Sequence, residues 1–471
     1  MNFKLKPILV VAGLGTFSLN SYADDLIQIY QLAQQKDPVI LQYKAQRDAA
    51  FEHINQSRAS LLPHIDLTAG YNYATGNHSA DNSTNHYDSY LRYNQASAGV
   101  SLTQSIFSKA NWVNLTITEK SATQQDALYK YQQQNLMVRV STAYFNVLRA
   151  IDDLSYVRAN KAAVKRQLDQ TKQRFDVGLT PITDVHEAQA EYDRTIAEEI
   201  TAENTLDNSY EALRQIIGIS PRDLKLLDTT RFDPTPVKQG TKFWMDTATD
   251  KNLQLNAQRI AKEVANEEIG LAKSGHLPTL SLSAGLQTQD THFRDYTPPS
   301  YQQGHYDTGS IGLNFALPLY QGGETVSQVR EARFNYVQAS QSLEETYRTV
   351  QTNLNSSYNN VHSNISSIKA YEQAVVSSQS ALEATEAGFT VGTRTIVDVQ
   401  DATRNLYQAK EQLAGARYDY IINMLTLKQL AGTLTMADLN GINDVLYQPK
   451  EQVPTQPAAP SINDAAKAPK K

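Results

Sequence analysis

The sequence predicts an α+β membrane protein in which each chain supplies four β-strands and two long helical hairpins. Several copies would together form a tube, a short β-barrel in the bilayer continuous with a long α-barrel. Three observations predict this: an N-terminal export address, an internal repeat, and two very long stretches without Gly or Pro, each following a pair of alternating segments.

The export address comes first. Lys4 and Lys6 precede an apolar run from Pro7 to Leu19, and Ser21-Tyr22-Ala23 places small residues where a signal peptidase reads. Cleavage after Ala23 is expected, giving a signal peptide over 1–23. The apolar run is too short for a membrane-spanning anchor. With no cysteine in 471 residues, lipid attachment, disulfides, thiolate metal sites and cysteine nucleophiles are all excluded. The formal net charge is −6, from 43 basic and 49 acidic residues, which argues against nucleic acid as a main partner. A mean hydropathy of −0.47 is too polar for a bundle of membrane-spanning helices.

The repeat shows at a shift of 214 positions, the separation of Phe175 from Phe389. At that shift Val177, Gly178, Ile182, Asp184, Val185 and Ala188 fall on Val391, Gly392, Ile396, Asp398, Val399 and Ala402. The expected divisions are a first repeat over 24–219, a joining equatorial segment over 220–251, a second repeat over 252–432 and a further equatorial segment over 433–447. The Pro/Ala/Lys-rich tail over 448–471 is expected to be disordered.

Each repeat opens with a helical stretch, Leu26 to Ser60 and then Leu253 to Lys273. Strands follow, with period two. Ile65, Leu67, Ala69, Tyr71 and Tyr73 oppose Asp66, Thr68, Gly70 and Asn72, and Val100 and Leu102 alternate with Ser101 and Thr103. In the second repeat Leu280, Leu282, Ala284 and Leu286 form one face of a strand, and Ile311, Leu313, Phe315, Leu317 and Leu319 form one face of the next. Strands of about ten residues, apolar on one side and polar on the other, suit a transmembrane barrel wall. The polar stretches Ala74 to Arg92 and Thr288 to Tyr306 read as long external loops.

The long helices follow. Neither Gly nor Pro occurs from Lys109 to Val177 or from Glu324 to Ala387. At about 1.5 Å per residue each would span roughly 100 Å. Leu136, Val140, Ala143, Val147, Ala150, Leu154, Val157, Val164, Leu168 and Phe175 recur at the roughly 3.5-residue period of a left-handed coiled coil. Val350, Leu354, Ser357, Val361, Ile368, Tyr371, Val375, Leu382 and Phe389 keep that register in the second repeat. Each helix ends in a tight Gly-containing turn, Gly178-Leu179-Thr180-Pro181 or Gly392-Thr393-Arg394, before a return helix.

Four strands cannot close, and lipid does not tolerate an open edge. Two chains would give eight strands, whose interior side chains fill the barrel; three would give twelve, with a usable lumen. The helical turns are the far tips of such a tube and the place where it could narrow. Asp398 and Asp401 lie on one face of the helix that starts there. Gathered around an axis, their carboxylates would attract cations and raise one another's pKa. Alternatively they serve only to favour a helix N-terminus.

The sequence resembles the TolC family of outer-membrane efflux ducts over essentially the whole mature chain. The stretches that carry the resemblance include Asp48-Ala49-Ala50-Phe51-Glu52, Leu61-Leu62-Pro63, Leu102-Thr103-Gln104-Ser105-Ile106-Phe107 and Thr142-Ala143-Tyr144-Phe145-Asn146-Val147-Leu148. Arg166-Gln167-Leu168-Asp169-Gln170-Thr171, Leu317-Pro318-Leu319-Tyr320-Gln321-Gly322-Gly323 and the run Val391 to Val399 complete them. The resemblance implies a homotrimer with a twelve-stranded barrel and a twelve-helix tunnel across the periplasm. It implies a common exit for drug efflux and one-step protein secretion, working with a periplasmic adaptor and an inner-membrane RND, ABC or MFS transporter. It also implies that Asp398 and Asp401 form the constriction ring, that Arg394 links to Asp184 and Thr183 across neighbouring hairpins, and that Val177, Gly178, Leu179, Val391, Gly392 and Thr393 face the adaptor. The family's tyrosine before the second turn is Phe389 here, which has no hydroxyl with which to make that tyrosine's link. A closed state leaning more on Arg394 and Asp184 is therefore expected.

No cofactor, metal site or enzymatic activity is expected. The nine histidines show no metal-ligand spacing, and there is no phosphate-binding glycine loop or nucleophile elbow. A diffusion porin would need no long helices, and a secreted coiled-coil scaffold would need no amphipathic strands.

Overall fold

The computed structural model describes residues 24–82, 85–221, 223–294 and 304–448. The expected signal peptide over 1–23 and nearly all of the expected tail lie outside the described residues.

Asp25 opens α1, Leu26–Lys36, through a capping box with Gln28, and Leu26, Ile29, Tyr30 and Ala33 are its buried face. The helical stretch expected from Leu26 to Ser60 consists of two helices. Asp37 ends α1 and caps α2, Pro38–Ala59, where Pro38 occupies the first turn. A proline inside the stretch would clash with the preceding turn, so the chain breaks there and restarts. Asp37 is buried; it accepts from the Ile40 N–H at 3.1 Å and pairs with Arg139 at 2.8 Å.

Next come β1, His64–Asn82, and β2, Asn85–Ser108. The expected loop from Ala74 to Arg92 is therefore mostly a continuation of the hairpin, paired as far as Asn82 and Asn85. A backbone ladder satisfies its N–H and C=O groups whatever the polarity of the side chains, so side-chain composition mistook strand for loop.

The helix α3, Lys109–Asp176, is capped by Ser108 and has 68 residues. It ends one residue short of the Gly-free and Pro-free run. The return helix α4 is Ile182–Ile217. A two-residue strand, β3, Leu226–Leu227, follows. The segment over 220–251, expected only to join the repeats, also holds α5, Thr241–Lys251. Then α6, Leu253–Ser274, starts from Asn252, which stands where Asp37 stands in the first repeat. Its Oδ1 accepts from Leu255 N–H at 2.8 Å, and its amide donates to the Leu430 carbonyl at 2.8 Å.

The second hairpin is β4, Thr279–Phe293, and β5, Gly304–Ala316. Leu317 and Leu319, expected on β5, lie past its end beside Pro318, which cannot donate to a ladder. Part of the expected loop Thr288 to Tyr306 is likewise strand, and 295–303 lie outside the described residues. The 67-residue α7, Glu324–Thr390, runs three residues beyond its expected end and contains Gly388. The chain closes with α8, Ile396–Leu430, α9, Met436–Asn443, and β6, Leu446–Tyr447, which pairs with β3.

The four long strands form one antiparallel sheet in the order β1-β2-β4-β5. Cross-strand rows such as Leu67, Val100, Leu286 and Gly309 define one face, and Thr68, Gly99, Gln287 and Thr308 the other. Among the described residues nothing covers the apolar face: Ile311 is 80% exposed and Leu286 71%. Among the described residues β1 and β5 each keep an unpaired edge. The long helices pack in the order α4-α3-α8-α7, with α2 and α6 completing the layer nearer the sheet. The core sits where α1, α5 and α9 wrap these rods and includes Tyr144, Phe145, Leu354, Tyr418 and Leu425. Most positions of the expected coiled-coil seam are buried, from Leu136 to Leu168 and from Val350 to Ile368, while Phe175 is exposed. Among the described residues no helix is long and apolar enough to cross a membrane.

Candidate functional site

At the end of α3, Val177 is the C-cap and Gly178 has φ 75°, which only glycine adopts cheaply. Gly178 N–H donates to Phe175 O and Leu179 N–H to Arg174 O, each at 2.8 Å, reversing the chain in one turn. Val177 and Leu179 are each 70% exposed. The second turn repeats this. Gly392 has φ 81°, its N–H donates to Phe389 O at 3.1 Å, and Thr393 N–H donates to Gly388 O at 2.9 Å. Val391 is 75% exposed. Two apolar tips thus face solvent without partners among the described residues.

Gly388 is a packing glycine. A Cβ there would lie 2.8 Å from Arg394 Cγ, so its absence lets the Arg394 stem lie against the helix it has just left. Among the described residues Arg394 makes no ion pair within the chain, and it does not reach Asp184. Asp184 instead accepts from the hydroxyls of Thr180 and Thr183. The pairing expected of Arg394 with Asp184 and Thr183 on an adjacent hairpin is not formed among the described residues of one chain.

Asp398 and Asp401 lie on the first turn and a half of α8. Thr395 and Asp398 form a capping box: Asp398 accepts from Thr395 N–H at 2.8 Å and from its hydroxyl at 2.9 Å, and returns the bond through its own N–H at 3.2 Å. The Thr395 backbone and hydroxyl, with a smaller contribution from Arg394, hold the Asp398 carboxyl below the usual range. The expected upward shift is thus opposed within one chain and would have to come from other copies. Asp401 pairs with Arg404, whose guanidinium also lies 3.9 Å from Glu191 on α4. Within one chain Asp398 thus serves the helix start, while Asp401 is held by Arg404.

The structure joins the two tips through a residue the sequence did not single out. The guanidinium carbon of Arg174, on α3, lies 4.6 Å from the centroid of the Phe389 ring on α7, and its Nη1 donates to the Phe389 carbonyl at 3.3 Å. Spacing along α3 cannot reveal this, because it depends on where α7 ends. Farther from the tips, Gln167 of α3 donates to the Thr403 hydroxyl of α8 at 3.0 Å in a buried contact. Among the described residues no group of His, Asp and Glu is arranged to hold a metal ion.

The family model for outer membrane efflux proteins matches residues 29–219 and 244–433, one match per repeat. The second match begins inside α5. The chain is 48% identical to the outer membrane protein TolC of Vibrio cholerae over 93% of its own length and 98% of the relative's. It is 27% identical to the proteases secretion protein PrtF of Dickeya chrysanthemi over 92% of this chain and 94% of that one. Its backbone resembles the outer membrane channel CmeC of Campylobacter jejuni with a TM-score of 0.74 at 17% identity, covering 95% of this chain and 98% of that one. With both halves matched and an almost full-length relative at nearly half identity, the chain belongs to the outer membrane efflux protein family.

Proposed function

We propose that three copies of this chain share one pore and form a gated outer-membrane exit duct for drug efflux and one-step protein secretion. The observation that carries the reading is the four-stranded sheet, open at both edges and bare on its apolar face, continuous with helices about 100 Å long at 1.5 Å per residue. The helical layer is open in the same way. On α4 the row Ala190, Asp193, Ala197, Ile200 and Asn204 is exposed, and on α7 so is the row Ser363, Ser366, Ala370, Gln373 and Ser377. These rows keep the spacing of a coiled-coil seam and sit on the terminal helices of the arc, so a neighbouring copy can continue both layers at once.

Energy for transport has no source in this chain, so the duct is passive. The exposed tips at Val177, Gly178 and Leu179 and at Val391, Gly392 and Thr393 are the surfaces for a periplasmic adaptor, which couples the duct to an inner-membrane RND, ABC or MFS transporter. The family's description as outer membrane efflux proteins, and the relative named a proteases secretion protein, support both export roles. Asp398 and Asp401 form the constriction, and Arg394 with Asp184 and Thr183 the breakable link.

The test is native mass spectrometry of detergent-purified protein, followed by reconstitution into planar bilayers. Trimers with a small gated conductance are expected. A monomer without conductance overturns the reading. A wide, ungated conductance, with no rise in drug sensitivity on deletion of the gene, favours a diffusion porin.

A further inference from the structure

α3 and α7 end close enough for a side chain of one to reach the last turn of the other, yet only one of them supplies a cation for its own C-terminus. The last turn of α3 holds Arg174, whereas the last turn of α7 holds no basic residue. A helix C-terminus carries partial negative charge and carbonyls without intrahelical partners. Arg174 supplies the missing cation from across the gap. Its Nη1 donates to the Phe389 carbonyl at 3.3 Å, where Gly392 N–H also donates at 3.1 Å. Its guanidinium covers the Phe389 ring at 4.6 Å. Arg174 makes no ion pair among the described residues, so no carboxylate competes for it. A tyrosine at 389 could keep the ring contact and the carbonyl; a small aliphatic residue would keep only the carbonyl.

We propose that Arg174 is a positioning residue of the gate. It clasps the tip of the α3–α4 hairpin to the tip of the α7–α8 hairpin of the same chain through the Phe389 ring and carbonyl, and opening requires that clasp to release. The inference rests on the duct reading, but its contact is internal to one chain and can be tested separately. It differs in kind from an Arg–carboxylate link. A ring face and a backbone carbonyl carry no formal charge, so salt that screens exposed ion pairs leaves most of the clasp in place. Each contact is weak alone, which suits a latch released by docking rather than a permanent staple.

The absence of native cysteine allows a direct test. Val177→Cys and Val391→Cys are introduced into one chain, spin-labelled, and diluted with unlabelled chains so that only the intrachain distance is read by pulsed electron resonance. Parent, Arg174→Ala, Arg174→Lys, Phe389→Leu and Phe389→Tyr backgrounds are compared, with circular dichroism and oligomer mass as folding controls. In Arg174→Ala the population of separated tips is expected to rise roughly two- to five-fold, the size of an exposed cation–π contact. Phe389→Leu should give a smaller rise, and Phe389→Tyr none. The parent distance should hold in molar salt. Identical distributions in parent and Arg174→Ala overturn the clasp, as does separation of the parent's tips in molar salt. If the parent forms no channel in bilayers the duct reading fails, while the distances still decide the clasp.

Discussion

At the scale of single residues, the proposed gate rests on a few polar groups at the hairpin tips. Asp184 is oriented by the hydroxyls of Thr180 and Thr183. In the proposed duct this carboxylate would be an acceptor for a cation of another hairpin, and Arg394, without an ion pair among the described residues, is the cation proposed to meet it. Replacing Arg394 with alanine is expected to raise single-channel conductance and the leakage of large antibiotics; unchanged values would remove Arg394 from the gate. Asp153 is a second point of stress. Its Oδ1 is buried without a hydrogen-bond partner, beside a hollow of about 390 Å³ that Arg194, Glu198 and Glu411 also line. Burial, then the facing Glu411 carboxylate, push its pKa up to about 7, with Arg149 opposing. A carboxyl raised in the folded state keeps its proton where the unfolded chain releases it. Stability therefore falls as pH rises from about 4 to about 7, then levels off. Asp153→Asn should melt above the parent at pH 8, with the gap closing as pH falls towards 4. Melting curves that stay parallel across that range would refute the assignment. That Asp184, Arg394, Asp398 and Asp401 lie near the tips was legible in the sequence. The partner of Phe389 was not, because it depends on two helices ending at the same height.

At the scale of elements, legibility followed periodicity. The long helices declared themselves because Gly and Pro are absent for dozens of residues, and their predicted ends fall within three residues of those observed. The strands declared only their amphipathic cores. Beyond Tyr73 the side chains of β1 turn polar, yet pairing continues to Asn82, since register is carried by the backbone. The break at Asp37-Pro38 was present in the sequence but hidden inside an otherwise helical stretch, while the short α5 carries too little apolar period to stand out from its linker. The sheet's two faces yield a sharp contrast. Leu286 belongs to the bare apolar row with Leu67 and Val100, and Ser283 points to the opposite side. If the apolar face meets lipid, Leu286→Lys is expected to destabilise the inserted protein by about 2–4 kcal/mol, and Ser283→Lys by much less. Denaturant unfolding from vesicles measures the difference, and equal losses for both would mean the face is not lipid-exposed.

At the scale of the whole molecule, α3 is one rod that touches α2 and α6 on the sheet side and α4 and α8 on the tip side. α7 is likewise unbroken, packing on α6 and on α8. Gly388, the one glycine within it, lies in its last turn, so neither rod has a joint along its shaft. The distance from bilayer to tip is therefore fixed by counting residues: the protein is a ruler for the gap it crosses. A cell that widened that gap could not be followed by bending or stretching, only by inserting matched lengths into all four long helices at once. Anything that meets the tips must instead supply the adjustable reach itself.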